Sequence, residues 1–194
     1  MLRTNFGWLK VSLAAVALIA VSRPASAVTL NFDDLVDNGI YHSTPVPYGY
    51  GGLQWYDWNY YSWSNPPYNP TSGSTRLLCE QPLHRIAQPF VRSDTGMIFE
   101  GASFTGYEGA GYGVMFRLYR NGALVFDSPS YLWTSATPQF LASGYTGVVD
   151  LVEVHGNFAF AAMDDFTFTA VPEPSAFAIL SLGLSGLFLR RRRK

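Results

Sequence analysis

The sequence predicts an all-β protein: an antiparallel β-sandwich of jelly-roll type, flanked by an N-terminal signal helix and a C-terminal transmembrane helix. Three observations predict it. Residues 28–170 are rich in Gly, Thr, Tyr, Phe and Val and hold no sustained helical period. Short apolar runs recur there between Gly, Pro and Asn turn signals, the pattern of strands joined by tight connections. Each end of the chain carries an apolar run bordered by cations, unlike anything in between.

At the N-terminus, Arg3 and Lys10 precede the apolar run 11–21, Pro24 breaks it, and Ala25-Ser26-Ala27 follows with small residues at the flanking positions. This is the order of a secretory signal peptide over residues 1–27, with cleavage expected after Ala27. The run is short for a membrane span. Residues 28–170 then form the exported domain, whose 143 residues suffice for a single packed core. The whole chain has a net charge of −1, but this segment carries 13 Asp and Glu against five Arg and no Lys, hence −8. Its cations, Arg76, Arg85, Arg92, Arg117 and Arg120, are scattered, which excludes nucleic acid as a partner, because phosphate binding needs clustered positive charge. Cys79 is the only cysteine, so no intramolecular disulfide can form, and in "RLLCE" it reads as a small packed apolar group.

The elements follow in order. "VTLNFDDL" opens the domain as a strand with Val28, Leu30 and Phe32 on one face. "GGLQWYDWNYYSW" is a second extended segment, entered through the turn-rich "PVPYGYGG". "SNPPYNPTSGSTR", residues 64–76, has three prolines and no periodicity and predicts a projecting surface loop. "GMIFEGASFTGY" is a third strand and leads into the bend "EGAGYG". In "YGVMFRLYRNGALVFDSP" two apolar runs flank Asn121-Gly122, the dipeptide that tolerates positive φ at both centres of a type I′ turn, so a hairpin is expected. "TPQFLAS", "GVVDLVEVH" and "FAFAAMDDFTFTA" supply the last strands, with Phe166 and Phe168 facing one way and Thr167 and Thr169 the other.

Two features bear on chemistry. The tract "WYDWNYYSW" concentrates aromatic rings beside Asp57 and Asn59. Flat rings next to hydrogen-bonding groups suit a sugar, whose C–H face packs on the ring, and Trp55, Trp58, Tyr60 and Trp63 are the candidate ligand-binding residues. The same rings also make good strand and core residues, and that reading stays open. Two acid pairs, Asp33-Asp34 and Asp164-Asp165, stand at the two ends of the domain, where first and last strands of a sandwich often meet. Their oxygens suit a structural Ca²⁺; the alternative is that one Asp of each pair faces solvent. No G-x-S-x-G, H-E-x-x-H or P-loop pattern occurs, and His42, His84 and His155 show no ligand spacing, so no catalytic residue is expected. A glycan-active enzyme using two of Asp57, Glu100 and Glu108 is the alternative, since a glycosidase needs two carboxyl groups across a cleft.

The chain ends in "VPEPSAFAILSLGLSGLFLRRRRK". The apolar run 175–189 would span roughly 22 Å as a helix at about 1.5 Å per residue, short of a hydrocarbon core of about 30 Å. The basic residues 190–194 would hold its end on the cytoplasmic side. The ordered set Val171, Pro172, Glu173, Pro174, then the apolar run, then Arg190, Arg191, Arg192 and Arg193, resembles the tail of the PEP-CTERM family of bacterial exported proteins. That resemblance implies a sorting segment over residues 171–194 that a membrane-embedded exosortase reads and cuts near the Pro-Glu-Pro triplet. It implies transient residence in the inner membrane, then the cell surface or extracellular space, commonly in bacteria that make exopolysaccharide. "LNFDDL" and "MDDFTFTA" are more loosely similar to the edges of galactose-binding-like jelly rolls, including carbohydrate-binding modules with a structural Ca²⁺. The expected function is therefore a non-catalytic surface or matrix protein that engages polysaccharide. A glycan-active enzyme and a purely structural coat protein are the alternatives.

Overall fold

The computed structural model describes residues 26–35, 39, 41–78, 88–108, 113–128, 132–156 and 161–171. Among them are twelve strands: β1 Ala27–Leu30, β2 Thr44–Pro45, β3 Gln54–Tyr56, β4 Asn59–Tyr61, β5 Arg76–Leu78, β6 Phe90–Gly106, β7 Gly113–Arg120, β8 Ala123–Asp127, β9 Leu132–Trp133, β10 Gln139–Ala142, β11 Val149–Gly156 and β12 Ala161–Ala170. The only helical element described is a single short turn at Tyr50–Gly52. The all-β, antiparallel expectation holds, and every pairing joins one continuous sheet, whose main path runs β2-β4-β5-β12-β6-β11-β7-β8.

The 17-residue β6 explains how one sheet encloses a core. Its first part pairs with β3 and β11, through Trp55↔Val91 and Val152↔Val91. Its second part pairs with β12 and β10, through Met163↔Phe104 and Gln139↔Phe104. The strand thus belongs to both halves of the sheet. Rings from the two halves meet: Phe116 of β7 lies 5.1 Å edge-on from Phe99, and Trp55 of β3 lies 5.3 Å from Phe166 of β12. Phe99 and Phe166 stack at 4.8 Å, and Phe99, Phe116 and Phe166 are buried. The folded-over sheet is sandwich-like, with inward aliphatic and aromatic side chains alternating with outward polar ones.

The hairpin of β7 and β8 is the most direct match to sequence. Asn121 and Gly122 have φ of 52° and 76°, the left-handed pair that a type I′ turn requires. Phe166 and Phe168 are buried while Thr167 and Thr169 lie half-exposed, as the alternation demands.

Other expectations are corrected. The extended segment at 51–63 contains two strands, β3 and β4, because Asp57 takes φ 62° and turns the chain between them. Residues 64–76 are largely at the surface, as expected, but the segment is tied to the sheet: Asn69 Nδ2 donates to Ala136 O at 3.1 Å, Thr105 Oγ1 donates to Asn69 O at 2.8 Å, and Thr75 and Arg76 are buried. Such a segment carries backbone polar groups that need partners, and these bonds supply them. Among the described residues no helix is long and apolar enough to cross a membrane; the signal and tail segments expected to be helical lie outside the described residues.

Candidate functional site

The aromatic tract packs inward. Trp55, Trp58, Tyr60 and Tyr61 are buried, Trp55 between Phe32 and Phe166 with its Nε1 donating to Tyr50 O at 2.9 Å. Tyr61 lies 4.1 Å beneath the Arg76 guanidinium, which is itself buried and donates to Trp63 O and Ser74 O. Burial pushes the Tyr61 hydroxyl up from its usual pKa, with Arg76 opposing the shift. Trp63 is half-buried beside Tyr61 and the exposed Tyr41. Three of the four residues expected to meet a sugar, Trp55, Trp58 and Tyr60, are therefore core residues. The turn at Asp57 is the physical reason: it ends the alternation that would have sent half of the rings to solvent. Tyr56 alone of the tract presents its ring to the outside at 37 % exposure.

The acid pairs do converge, but on a loop. Asp33 Oδ1 accepts the N–H groups of Ser74 and Thr75 at 2.8 and 3.1 Å. Asp164 Oδ2 accepts those of Thr71 and Ser72 at 2.8 and 3.1 Å, and its Oδ1 accepts that of Asp165 at 2.7 Å. Asp165 accepts the Ser72 hydroxyl at 2.8 Å, while Asp34 accepts the Tyr50 hydroxyl at 2.6 Å. Burial, followed by the coupling to Asp34, raises the Tyr50 pKa strongly, so that hydroxyl keeps its proton. Residues 71–75 are thus clasped from both sides, and Gly73 permits the approach because a Cβ there would overlap the Asp33 carboxylate. Among the described residues no group of three or more His, Cys, Asp or Glu is placed to hold a metal ion. Of the four acids expected to hold Ca²⁺, Asp33 and Asp164 accept backbone N–H groups, while Asp34 and Asp165 accept the hydroxyls of Tyr50 and Ser72.

A different place carries the features of a binding site. On the outer face of β6, β11 and β7 lies an open groove of about 580 Å³, lined by Phe90, Arg92, Asp94, Tyr119, Asp150 and Glu153, among others. Its floor is Leu151, opposite Arg92 on one side and Tyr119 on the other. Alternation puts Val91 and Val152 into the core and leaves Phe90, Arg92, Leu151 and Glu153 facing out. A bulge sharpens the wall: between the pairs Leu151↔Arg92 and Val149↔Met97, β11 advances two residues and β6 five, and within 93–96 Asp94 and Thr95 are exposed while Ser93 and Gly96 are buried. Gly96 takes φ 96° and its N–H donates to the buried Ser93 Oγ at 3.1 Å, leaving Asp94 exposed at the rim.

Neutral donors orient the groove's carboxylates. Tyr56 Oη donates to Gln54 Oε1 at 3.1 Å, and Gln54 Nε2 donates to both oxygens of Asp94 at 2.8 Å. Tyr119 Oη donates to Glu153 Oε2 at 2.9 Å, and burial with this bond raises the Tyr119 pKa. His155 Nε2 lies 2.8 Å from the same Glu153 oxygen, at ion-pair distance without hydrogen-bond alignment. Asp150 Oδ2 accepts the Asn121 N–H at 2.6 Å, with Arg120 Nη1 at 3.9 Å. Phe90 stacks on Tyr56 with ring centroids 4.3 Å apart and planes 18° from parallel, which gives the groove an aromatic edge.

The last strand leads to the tail. β12 stays paired through Ala170↔Met97, and Val171 N donates to Gly96 O at 3.3 Å. Residues 170–193 match the PEP-CTERM protein-sorting motif. No characterised protein matches the chain. The PEP-CTERM motif implies an exported protein, sorted at its C-terminus at the membrane and processed by an exosortase. Of the residues in the motif only Ala170 and Val171 are described; Pro172, Glu173, Pro174 and Arg190 to Arg193 lie outside the described residues.

Sequence reasoning missed the groove because its residues come from three strands far apart in the chain. The usable signal was "PFVRSDTG", a strand whose buried alternation passes through Ser93, a polar residue that hides the period.

Proposed function

We propose that this is a non-catalytic surface or matrix protein that binds extracellular polysaccharide through the outer groove of its sheet, with the sandwich-like domain built as a jelly roll. In this reading the signal peptide is removed after Ala27, residues 28–170 are delivered outside the cell, and residues 171–194 serve sorting. The carrying observation is the groove, where an aromatic pair and a row of oriented hydrogen-bonding groups share one exposed sheet face. Sugars are recognised by this combination: rings take the apolar C–H face, and polar side chains fixed by their own partners take the hydroxyls. Tyr56, Phe90, Arg92 and Tyr119 replace Trp55, Trp58 and Tyr60 as the residues that would touch the ligand.

Affinity electrophoresis in gels containing neutral and charged polysaccharides tests it. The protein is retarded by at least one of them, and Phe90→Ala together with Arg92→Ala weakens the retardation about tenfold, or about 1.4 kcal/mol. Trp63→Ala, on the other side of the Asp57 turn, leaves retardation as it was. Equal loss in the double variant and in Trp63→Ala, or no retardation by any polymer, removes the groove from consideration.

A second reading, a glycan-active enzyme, draws on Asp94, Asp150 and Glu153 in the same groove. It requires release of reducing ends from a polysaccharide and loss of that release in Glu153→Gln.

A further inference from the structure

The charge of the groove narrows its ligand. Three carboxylates line it, Asp94, Asp150 and Glu153, against one lining cation, Arg92. We propose that the groove selects polysaccharides bearing free amino groups, with these three carboxylates as the specificity-determining residues; the proposal rests on the polysaccharide-binding reading above.

Each carboxylate is held mainly by a neutral donor. Asp94 is bridged by the Gln54 amide, Glu153 by the Tyr119 hydroxyl, and Asp150 by the Asn121 N–H. An ionised carboxylate offers about four acceptor sites, so each retains acceptor capacity after these bonds are made. Cationic compensation is partial. Arg120 stands 3.9 Å from Asp150, with its guanidinium laid over Gly96, and His155 reaches Glu153 but does not line the groove. The site is therefore rich in acceptors and poor in donors. A sugar ammonium brings three N–H donors and a positive charge to such a site, whereas a uronate would face three carboxylates and find one guanidinium. The surrounding domain adds to this bias, since residues 28–170 carry 13 acids against five Arg.

A metal ion fits less well. No group of three or more carboxylate, His or Cys side chains among the described residues is placed to hold one. The acidic groups come from two strands of the groove, Asp94 on the bulge of β6 and Asp150 and Glu153 on β11. Phe90 and Tyr56 then take a ring face beside the charged positions.

The test is isothermal titration of the full chain in detergent with four oligosaccharide probes of equal length: β-linked glucosamine, its N-acetylated counterpart, a neutral β-glucan and a polyuronate. At a pH where the amine is protonated and at low salt, the glucosamine oligomer binds about tenfold or more tightly than the acetylated one. The gap shrinks as salt shortens the Debye length below about 10 Å. Asp94→Asn and Glu153→Gln, checked for folding by thermal melts, each narrow the ratio of the two affinities. Equal affinity for acetylated and free amino oligomers, or tighter binding of the polyuronate, overturns the charge selection and leaves polysaccharide binding standing. Binding of none of the four overturns both readings.

Discussion

Asp164 is the residue where burial and charge conflict most directly. It is 3 % exposed in a central strand, yet it accepts three backbone N–H groups and adjoins Asp165. Burial dominates, and its pKa rises from 3.8 to about 6, with the Ser72 N–H opposing and the Asp165 charge assisting. A raised native pKa means that the folded state holds this proton more tightly than the unfolded chain. The associated stability is complete below about pH 4 and is lost as pH rises through 6, on the order of 3 kcal/mol at most. Between pH 4 and 7, wild type should therefore lose up to about 3 kcal/mol of stability relative to Asp164→Asn, because the variant lacks this titration. Asn also exchanges one accepting oxygen for a donor beside the Asp165 N–H, costing about 1–3 kcal/mol at every pH. Parallel stability curves for the two proteins would rule the titration out. At this scale the sequence was partly legible. The acid pairs stood out, but what they hold did not, because residues 71–75 lie some ninety positions from Asp164 and announce no partner.

Two glycines show how an element can fail for different reasons. Gly122, in the β7–β8 turn, has φ 76° and open space around any added Cβ. Gly122→Ala therefore costs only the left-handed backbone, about 1–2 kcal/mol. Gly101, in the second part of β6, has φ 147°, and a Cβ there would run into the Leu141 carbonyl of β10 and the Phe140 ring. Relief requires β10 to leave β6, so Gly101→Ala should cost more, about 3 kcal/mol or beyond, by summing overpacking with the lost strand pairing. Denaturant melts of the two variants give the ordering directly, and a Gly122 variant less stable than the Gly101 variant would contradict the packing described for β10. The hairpin was readable because Asn121-Gly122 encodes its own turn and its two strands are neighbours in the chain. The continuous course of β6 was not. Its second part shows as "GMIFEGASFTGY", but Ser93 and the bulge at 93–96 interrupt the period before it. The split at Asp57 was equally hidden, since a positive φ at a non-glycine residue is set by its surroundings.

For the molecule as a whole, the position of β12 determines what sorting can leave behind. This strand is interior, with β6 along one side and β5 and β1 along the other, and it carries Met163, Phe166 and Phe168 into the core. Its pairing ends at Ala170↔Met97, followed by one bond from Val171 to Gly96. The sorting motif begins at residue 170, so the sheet ends where the motif starts. A cut anywhere from 172 to 174 therefore removes no strand pairing and no core side chain, whereas a chain stopped at Asp165 would lose two buried phenylalanines. Removal of a large core aromatic costs about 3–5 kcal/mol, so losing both would consume much of a marginal stability of about 5–15 kcal/mol. Mass spectrometry of the protein from cells and medium should find a C-terminus near residues 171–174 in the released fraction. Its melting temperature should lie within about 2 °C of the unprocessed form, because neither the core nor the sheet differs between them. A chain ending at Asp165 should show no cooperative melt. Retention of residues 190–194 in every fraction would refute processing, and a released form cut inside β12 that still melted cooperatively would refute the strand's place in the core.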